Sequence, residues 1–343
     1  MDARRVVRPG DQLSENKGLR VGIAGCGMAV PGRRVTNDDL AKVVDTTDAW
    51  ITERTGIRER RIAGEGESTA TLAVEAGMAA LKDAGVEPSE IGCCIVATCT
   101  SEQPIPPTSS FVQEALGLRC GAFDVDAACS GFVYALVAGA TMVASGAMGK
   151  ILVIGSETLS RVVDPFDRST VVLFGDGAGA VVLTPTDDVG LLAWDLGCDG
   201  SLTGLLGIPA GGSRQPVDAA ALAAGDQWLK MDGREVFRRA VRVIVDSARA
   251  TLDQAGLTAD DVSLFIPHQA NSRIIDSAAL KLGMPAERIF VNLDRYGNTS
   301  AASVPIALAE AAEAGRLQRG DLVLLTGFGA GMSWASALLR WER

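Results

Sequence analysis

The sequence predicts an α/β fold made of two similar halves, and two observations carry that prediction. Apolar runs of strand length alternate with Ala-rich stretches of helical period along the chain. A helix–strand unit ending its helix at Gly85 also recurs with its helix ending at Gly256. Residues 21–24, 93–97, 151–154, 178–183, 264–266 and 322–325 read as buried strands, because each is apolar throughout rather than alternating. Residues 68–83, 130–144, 234–253 and 304–314 carry helical periodicity. Such alternation is the mark of the α/β class.

The recurrence is specific. Leu81-Lys82-Asp83-Ala84-Gly85 precedes a short acidic stretch and the strand ending near Ala97. Leu252-Asp253-Gln254-Ala255-Gly256 precedes another acidic stretch and the strand ending near Pro267. The glycines lie 171 positions apart (85 to 256), as do the strand starts Ile151 and Leu322. A period of half the chain implies two like halves, since a solenoid repeats every ~20–50 residues. The expected division is a polar extension over 1–18, one half over 19–186 and a second over 187–343. In such a fold equivalent loops meet at a pseudo-twofold axis. Cys129 and Ser300 are expected at equivalent helix starts, and His268 follows the counterpart of the strand ending at Ala97.

Composition narrows the function. The 343 residues are 47% hydrophobic and 22% charged, the balance of a soluble globular protein. A net charge of −10 argues against nucleic acid or an anionic membrane as a general partner. No run approaches the ~20 apolar residues of a membrane span, and the polar first residues lack the apolar core of a secretory signal. The seven cysteines are odd in number and several lie in apolar runs, which points to reduced thiols in the cytoplasm. With no Cys-x-x-Cys pair and one histidine, no metal site is expected.

Three segments hold residues suited to chemistry. Cys129 lies in Asp126-Ala127-Ala128-Cys129-Ser130-Gly131-Phe132, between a strand-like run and an Ala-rich helix. A helix N-terminus lowers a thiol pKa, and small neighbours permit a sharp strand-to-helix turn. His268, in Pro267-His268-Gln269-Ala270-Asn271, is the only imidazole available. Asn298, in Gly297-Asn298-Thr299-Ser300, also fits ordinary turn and helix-cap chemistry. The runs Gly175–Gly179 and Gly327–Gly331 lack the ending of a phosphate loop and are expected to be tight turns with backbone close to a site. A papain-like Cys/His/Asn hydrolase would want its cysteine near the mature N-terminus and would lack the duplicated pattern.

These segments resemble the β-ketoacyl-acyl carrier protein synthase III family, over about residues 21–341. Ala-Ala-Cys-Ser-Gly-Phe matches its nucleophile motif, Pro267 to Asn271 its Pro-His-Gln-Ala-Asn motif, and Gly297 to Ser303 its Gly-Asn-Thr-Ser-Ala-Ala-Ser motif. Asp48-Ala49-Trp50-Ile51, Arg54 to Arg58, Asp164 to Arg168 and both glycine runs match as well. The resemblance implies a thiolase-like fold in five layers, α/β/α/β/α. It implies a decarboxylative Claisen condensation that joins an acyl-CoA starter to malonyl-acyl carrier protein and starts fatty acid synthesis.

On this resemblance Cys129 takes the acyl group, and the backbone N–H groups of Cys129 and Ala330 form the oxyanion hole. His268 and Asn298 hold the enolate formed as CO2 departs. Trp50 and Arg168 sandwich the CoA adenine, Arg54 lies near its phosphates, and Asn271 supports the site. Ile105, where the family commonly has an aromatic residue, shapes the acyl pocket. Arg238, Arg273 and Lys281 form the carrier-protein patch, to which Arg234 and Arg239 add. Arg234 departs from the family's usual Asn near CoA. No cofactor is implied beyond the substrates, and a homodimer is, with the loop 103–108 completing the partner's pocket. Priming of a polyketide or other secondary-metabolite pathway is the alternative.

Overall fold

The computed structural model describes residues 18–343; residues 1–17 of the expected extension lie outside the described residues. Five strands form the first sheet: β1 (Val21–Ala29), β2 (Ile91–Ala97), β3 (Gly121–Val125), β4 (Lys150–Thr158) and β5 (Asp176–Pro185), in the order β1-β5-β4-β2-β3. β2 runs parallel to β3 and β4, whereas β5 is antiparallel to β4 and β1. The second sheet contains β6 (Leu191–Cys198), β7 (Leu264–Pro267), β8 (Leu322–Gly329) and β9 (Ser333–Arg340), in the order β7-β8-β9-β6. Its pairings are parallel, antiparallel, antiparallel, which repeats the first sheet strand for strand. Where β3 would have its counterpart there is a single parallel bridge, Phe265 to Ile289.

Helices complete five layers. The main ones are α1 (Asp48–Thr55), α2 (Thr69–Ala84), α3 (Gly131–Ala144), α4 (Gly233–Ala255), α5 (Ser272–Leu282) and α6 (Ser303–Glu313). α2 covers the outer face of the first sheet, burying Leu72, Ala76 and Ala80 against Val96, Ile154 and Val182. α4 and α5 cover the outer face of the second, through Ile244, Ala248 and Ile274 against Phe265 and Leu324. α3 and α6, one from each half, lie between the sheets in a shared core that joins Phe132, Leu136 and Leu308 to Ile95, Val153, Val323 and Leu325. The expected five-layer α/β/α/β/α arrangement is the one observed. Among the described residues no helix is long and apolar enough to cross a membrane.

The repeat seen in the sequence has a local cause. α2 starts at a Ser68 cap and ends at Gly85 with φ +62°, while α4 starts at an Asp232 cap and ends at Gly256 with φ +68°. Left-handed backbone at a helix end favours glycine, so both halves keep it at the same place. The glycine runs meet expectation in part: Gly331 turns with φ +106°, and Gly329 brings backbone close to Cys129. Gly177 and Gly179 lie inside β5 and Gly327 and Gly329 inside β8, none with a left-handed φ. Their role is close packing. A Cβ on Gly179 would stand 2.5 Å from the backbone nitrogen of Ile306, and one on Gly329 would stand 2.5 Å from that of Cys129. In sequence, glycine that admits a neighbour looks the same as glycine that turns.

Candidate active site

Cys129 follows β3 in a tight turn. The Asp126 carboxylate accepts the Ala128 N–H at 3.1 Å, Ala128 takes φ +47°, and a single 3-10 turn, Ala128–Ser130, runs into α3. Ser130 is fully buried, with its Oγ 2.7 Å from Ala127 O and 2.8 Å from Ser333 Oγ, which anchors the turn to β9. The other half repeats the geometry. Ser300 has φ +48° and opens the 3-10 turn Ser300–Ala302 before α6. The left-handed residues are therefore equivalent, so Cys129 corresponds to Ala301, one residue on from the expected Ser300.

The expected lowering of the thiol pKa is also corrected. Cys129 has partial access through the cavity it lines, but its thiol is enclosed by protein. Burial pushes it up to about 12; the Ser300 hydroxyl pulls it down, and the Glu157 carboxylate adds to the rise. Loss of water around a thiolate outweighs the dipole of one helix end here.

His268 stands just past β7, 1% exposed, with its ring edge on Phe328 at 5.5 Å between centroids. Burial drives its pKa down to about 3, so the imidazole is neutral at physiological pH. Its Nδ1 lies 2.6 Å from Ser303 Oγ, which accepts the Gln269 N–H at 3.4 Å. The Ser303 hydrogen has no other acceptor among the described residues, so it points to Nδ1. The imidazole proton then sits on Nε2, free to donate. Asn298 is oriented the same way: its Oδ1 accepts the Ser300 N–H at 2.9 Å, leaving Nδ2 as a donor.

One cavity of about 210 Å³ brings these groups together. Cys129, His268 and Asn298 line it, with Trp50, Arg54, Asn271, Phe237, Phe328 and Gly329. Asn271 caps α5 by accepting the Arg273 N–H at 2.9 Å and donates to the Arg54 carbonyl at 3.1 Å, tying α1 to α5 at the cavity wall.

A family model described as 3-oxoacyl-[acyl-carrier-protein (ACP)] synthase III matches residues 123–200, and its C-terminal counterpart matches residues 252–341. A β-ketoacyl-[acyl-carrier-protein] synthase III of Roseiflexus castenholzii is 53% identical over 322 residues, 93% of this chain and 98% of that protein. The chain belongs to the 3-oxoacyl-[acyl-carrier-protein] synthase III family. A crystal structure of such a synthase III from Aquifex aeolicus superposes with a TM-score of 0.87 at 46% identity, over 94% of this chain and 100% of that one. The crystal structure of a priming β-ketosynthase from a polyketide pathway gives 0.89 at 38% identity, over 96% and 99%.

Against that synthase III family, the remaining expected residues divide. The Arg54 and Arg168 guanidiniums both stand over the Trp50 ring, at 4.6 and 4.9 Å from its centroid. Arg168 also donates to the Asp45 carbonyl at 2.7 Å. A base entering between Trp50 and Arg168 therefore has to move that guanidinium. Ala330 directly follows Gly329 of the cavity wall, and neither its N–H nor that of Cys129 is taken up by a loop or cap hydrogen bond. Arg238 and Arg273 flank the cavity, each next to residues that line it, whereas Lys281 lies two turns further along α5. Arg238 is paired with Glu235 at 2.6 Å, and Arg273 stands 3.9 Å from Glu53.

Ile105 is not brought to the cavity: it is 84% exposed on the loop before residue 108. Sequence reasoning missed Glu157, Ser300 and Ser303 as parts of the site. Glu157 is fully buried, accepts hydrogen bonds from Thr100 Oγ1 at 2.5 Å and Ser300 Oγ at 3.0 Å, and has no cation partner among the described residues. An acid closing the apolar strand 151–154 was the signal available.

Proposed function

We propose that this chain condenses an acyl-CoA starter with malonyl-acyl carrier protein, giving 3-oxoacyl-acyl carrier protein, CoA and CO2. The observation that carries the reading is the meeting of Cys129, a neutral His268 and the Asn298 amide in one cavity between the halves. Cys129 attacks the starter thioester and keeps the acyl group, splitting a hard step in two. The N–H groups of Cys129 and Ala330 receive the oxyanion. CoA leaves along the wall of Trp50, Arg54, Arg168 and Asn271, and the pantetheine arm of malonyl-acyl carrier protein takes its place. His268 Nε2–H and Asn298 Nδ2–H then hold the thioester oxygen as CO2 departs, and the enolate attacks acyl-Cys129. Both are neutral donors fixed before the charge forms, the condition under which such groups act most strongly.

The carrier protein, acidic in this reading, meets Arg238, Arg273 and Lys281, with Arg234 and Arg239 beside them; opposite charge speeds the encounter. No cofactor is needed, because every charge-stabilising group belongs to the chain. Work in the cytoplasm is supported by the cysteines, none of which is bonded to another. Priming of a polyketide pathway is the second reading, supported by the 38% identity to a priming β-ketosynthase. The test is incubation with a panel of acyl-CoAs and malonyl-acyl carrier protein, followed by mass spectrometry. A 3-oxoacyl-carrier product and stoichiometric CO2 are expected. Transfer of the acyl group to another acceptor without CO2 release would overturn the reading.

The working unit is a homodimer in this reading. β3 is one of the two edge strands of its sheet, with Phe123 on it 38% exposed, and Phe111 and Ile105 on the segment before it are 37% and 84% exposed. An open apolar edge strand invites a second copy, and pairing would carry Ile105 towards the partner's acyl pocket. Sedimentation at micromolar concentration should give twice the chain mass, and Phe123→Lys should shift it to one chain mass. A wild-type monomer would refute the dimer.

A further inference from the structure

One arginine is buried without an acid to pair with. Arg60 lies on the short strand Glu59–Arg61, opposite Val35 of the strand Arg34–Thr36, and is 0% exposed. In the sequence it reads as part of a solvated charged run, Arg58-Glu59-Arg60-Arg61, but the strand turns it inward between two less buried neighbours. Among the described residues no carboxylate stands within ion-pair distance of it; Glu59 pairs with Arg34 and Arg61 instead. A buried charge is costly unless other groups satisfy it. Here oxygens of three residues do so: Nη1 donates to Val35 O at 3.2 Å and to Asn37 Oδ1 at 2.9 Å, and Nη2 donates to Val172 O at 2.7 Å.

The bond to Val172 leads to the catalytic cavity. Val172, Leu173 and Phe174 line that cavity beside Asn298. Leu173 O accepts the Asn298 N–H at 2.8 Å, and the Gly175 N–H donates to Asn298 O at 3.0 Å, so this segment holds both main-chain polar groups of Asn298. The Arg60 stem lies against the same place. A Cβ on Gly175 would stand 3.1 Å from Arg60 Cβ, and one on Gly297 would stand 3.3 Å from it. Behind the segment is a second cavity of about 210 Å³, lined by Arg60, Val35, Leu40, Val171 and Phe174. With a cavity on each side, the segment depends on hydrogen bonds for its position more than one inside a packed layer does. Asn37 in turn donates to Asp48 Oδ1 and to Ile57 O, both at 2.8 Å, which ties Arg60 to the start of α1.

We propose that Arg60 is a positioning residue for Asn298: by holding Val172 O it fixes the segment that sets the Asn298 amide in the cavity, and so serves the decarboxylation half-reaction. It touches neither substrate nor the reacting atoms. A guanidinium suits the task because its rigid fork spans Asn37 and Val172 at once, which the single nitrogen of a lysine does not reproduce. Cys129 is not on this path, since its turn is anchored through Ser130 to β9. The two half-reactions should therefore answer differently to loss of Arg60.

The inference rests on Asn298 acting as a donor to the malonyl thioester, and the experiment separates the two. Acylation of Cys129 at saturating acyl-CoA and CO2 release from malonyl-acyl carrier protein are measured on Arg60→Met, Asn298→Ala and the double variant. Arg60→Met should acylate within about 2-fold of wild type, yet lose about 10–10²-fold in kcat for CO2 release, the effect of a displaced donor. In the Asn298→Ala background the same change should cost less than about 2-fold more, because a residue that acts through Asn298 then has nothing left to position. Arg60→Lys keeps the charge and the stem but not the fork; it should show the same split, which keeps the test decisive if Arg60→Met does not fold. Equal loss of both half-reactions, losses that multiply in the double variant, or wild-type CO2 release from a folded Arg60→Met would overturn the positioning role. Wild-type CO2 release from Asn298→Ala would instead overturn the reading beneath it.

Discussion

Cys129→Ala is expected to reduce acyl labelling by acyl-CoA to background, with the wild-type label confined to the peptide bearing Cys129. The reason is positional. Of the seven cysteines, Cys129 is the one that lines the central cavity, at the mouth of a helix and beside two N–H groups that no loop or cap hydrogen bond takes up. Cys93 and Cys94 are buried in the sheet, Cys26 is held against Asp83 and Arg343, and Cys99 faces Glu157. Cys198 is exposed beside the Gly331 carbonyl at 3.8 Å and Cys120 is half-buried, and neither lines the cavity. Intact-protein and peptide mass spectrometry read the result directly, and undiminished labelling of the variant would remove Cys129 from the mechanism.

His268→Ala and Asn298→Ala are expected to fail at the other half-reaction. Each should still acquire the acyl group, yet lose decarboxylation of malonyl thioester by about 10²-fold or more. Charge develops at different places in the two steps. In the proposed acylation the oxyanion faces backbone amides, which a side-chain change leaves in place. In the proposed decarboxylation the enolate oxygen is held by His268 Nε2 and Asn298 Nδ2, which line one cavity and whose other polar atoms are engaged by Ser303 and Ser300. Acyl-enzyme formation and CO2 release can be measured separately on each variant. Variants that cannot acylate but decarboxylate normally would reverse the roles and make His268 the base for Cys129.

Much of this was legible in the sequence because local physics repeats itself. Gly85 and Gly256 are visible as a pair because each closes a helix in left-handed backbone, where a side chain is strained. The alternation of apolar runs and Ala-rich helices gave both sheets and the helices between them. What escaped depends on contacts between distant segments. The cap glycines are 171 apart, but the helix starts Gly131 and Ser303 are one position further apart, so the partner of Cys129 is Ala301. The raised thiol pKa, the packing use of Gly179 and Gly329, and the acid at 157 all arise from what lies across the interface. Ile105 stands open on its loop, and in the proposed dimer its neighbours would come from the second chain.

The layer formed by α3 and α6 has a further consequence, for how this protein can change over time. Each helix is pressed against both sheets, and Gly155 and Gly179 let the start of α6 sit directly on strands of the opposite half. A substitution in that layer is therefore felt by both copies of the ancestral unit at once. Although the chain reads as one motif written twice, neither copy is free to drift, and neither would keep its inner face dry alone. Variation has room in the loops around the cavity and at the open edge of β3, where starter, carrier and second subunit are met in the proposed reaction. Selection can then alter what the enzyme accepts while the shared middle holds Cys129, His268 and Asn298 in register.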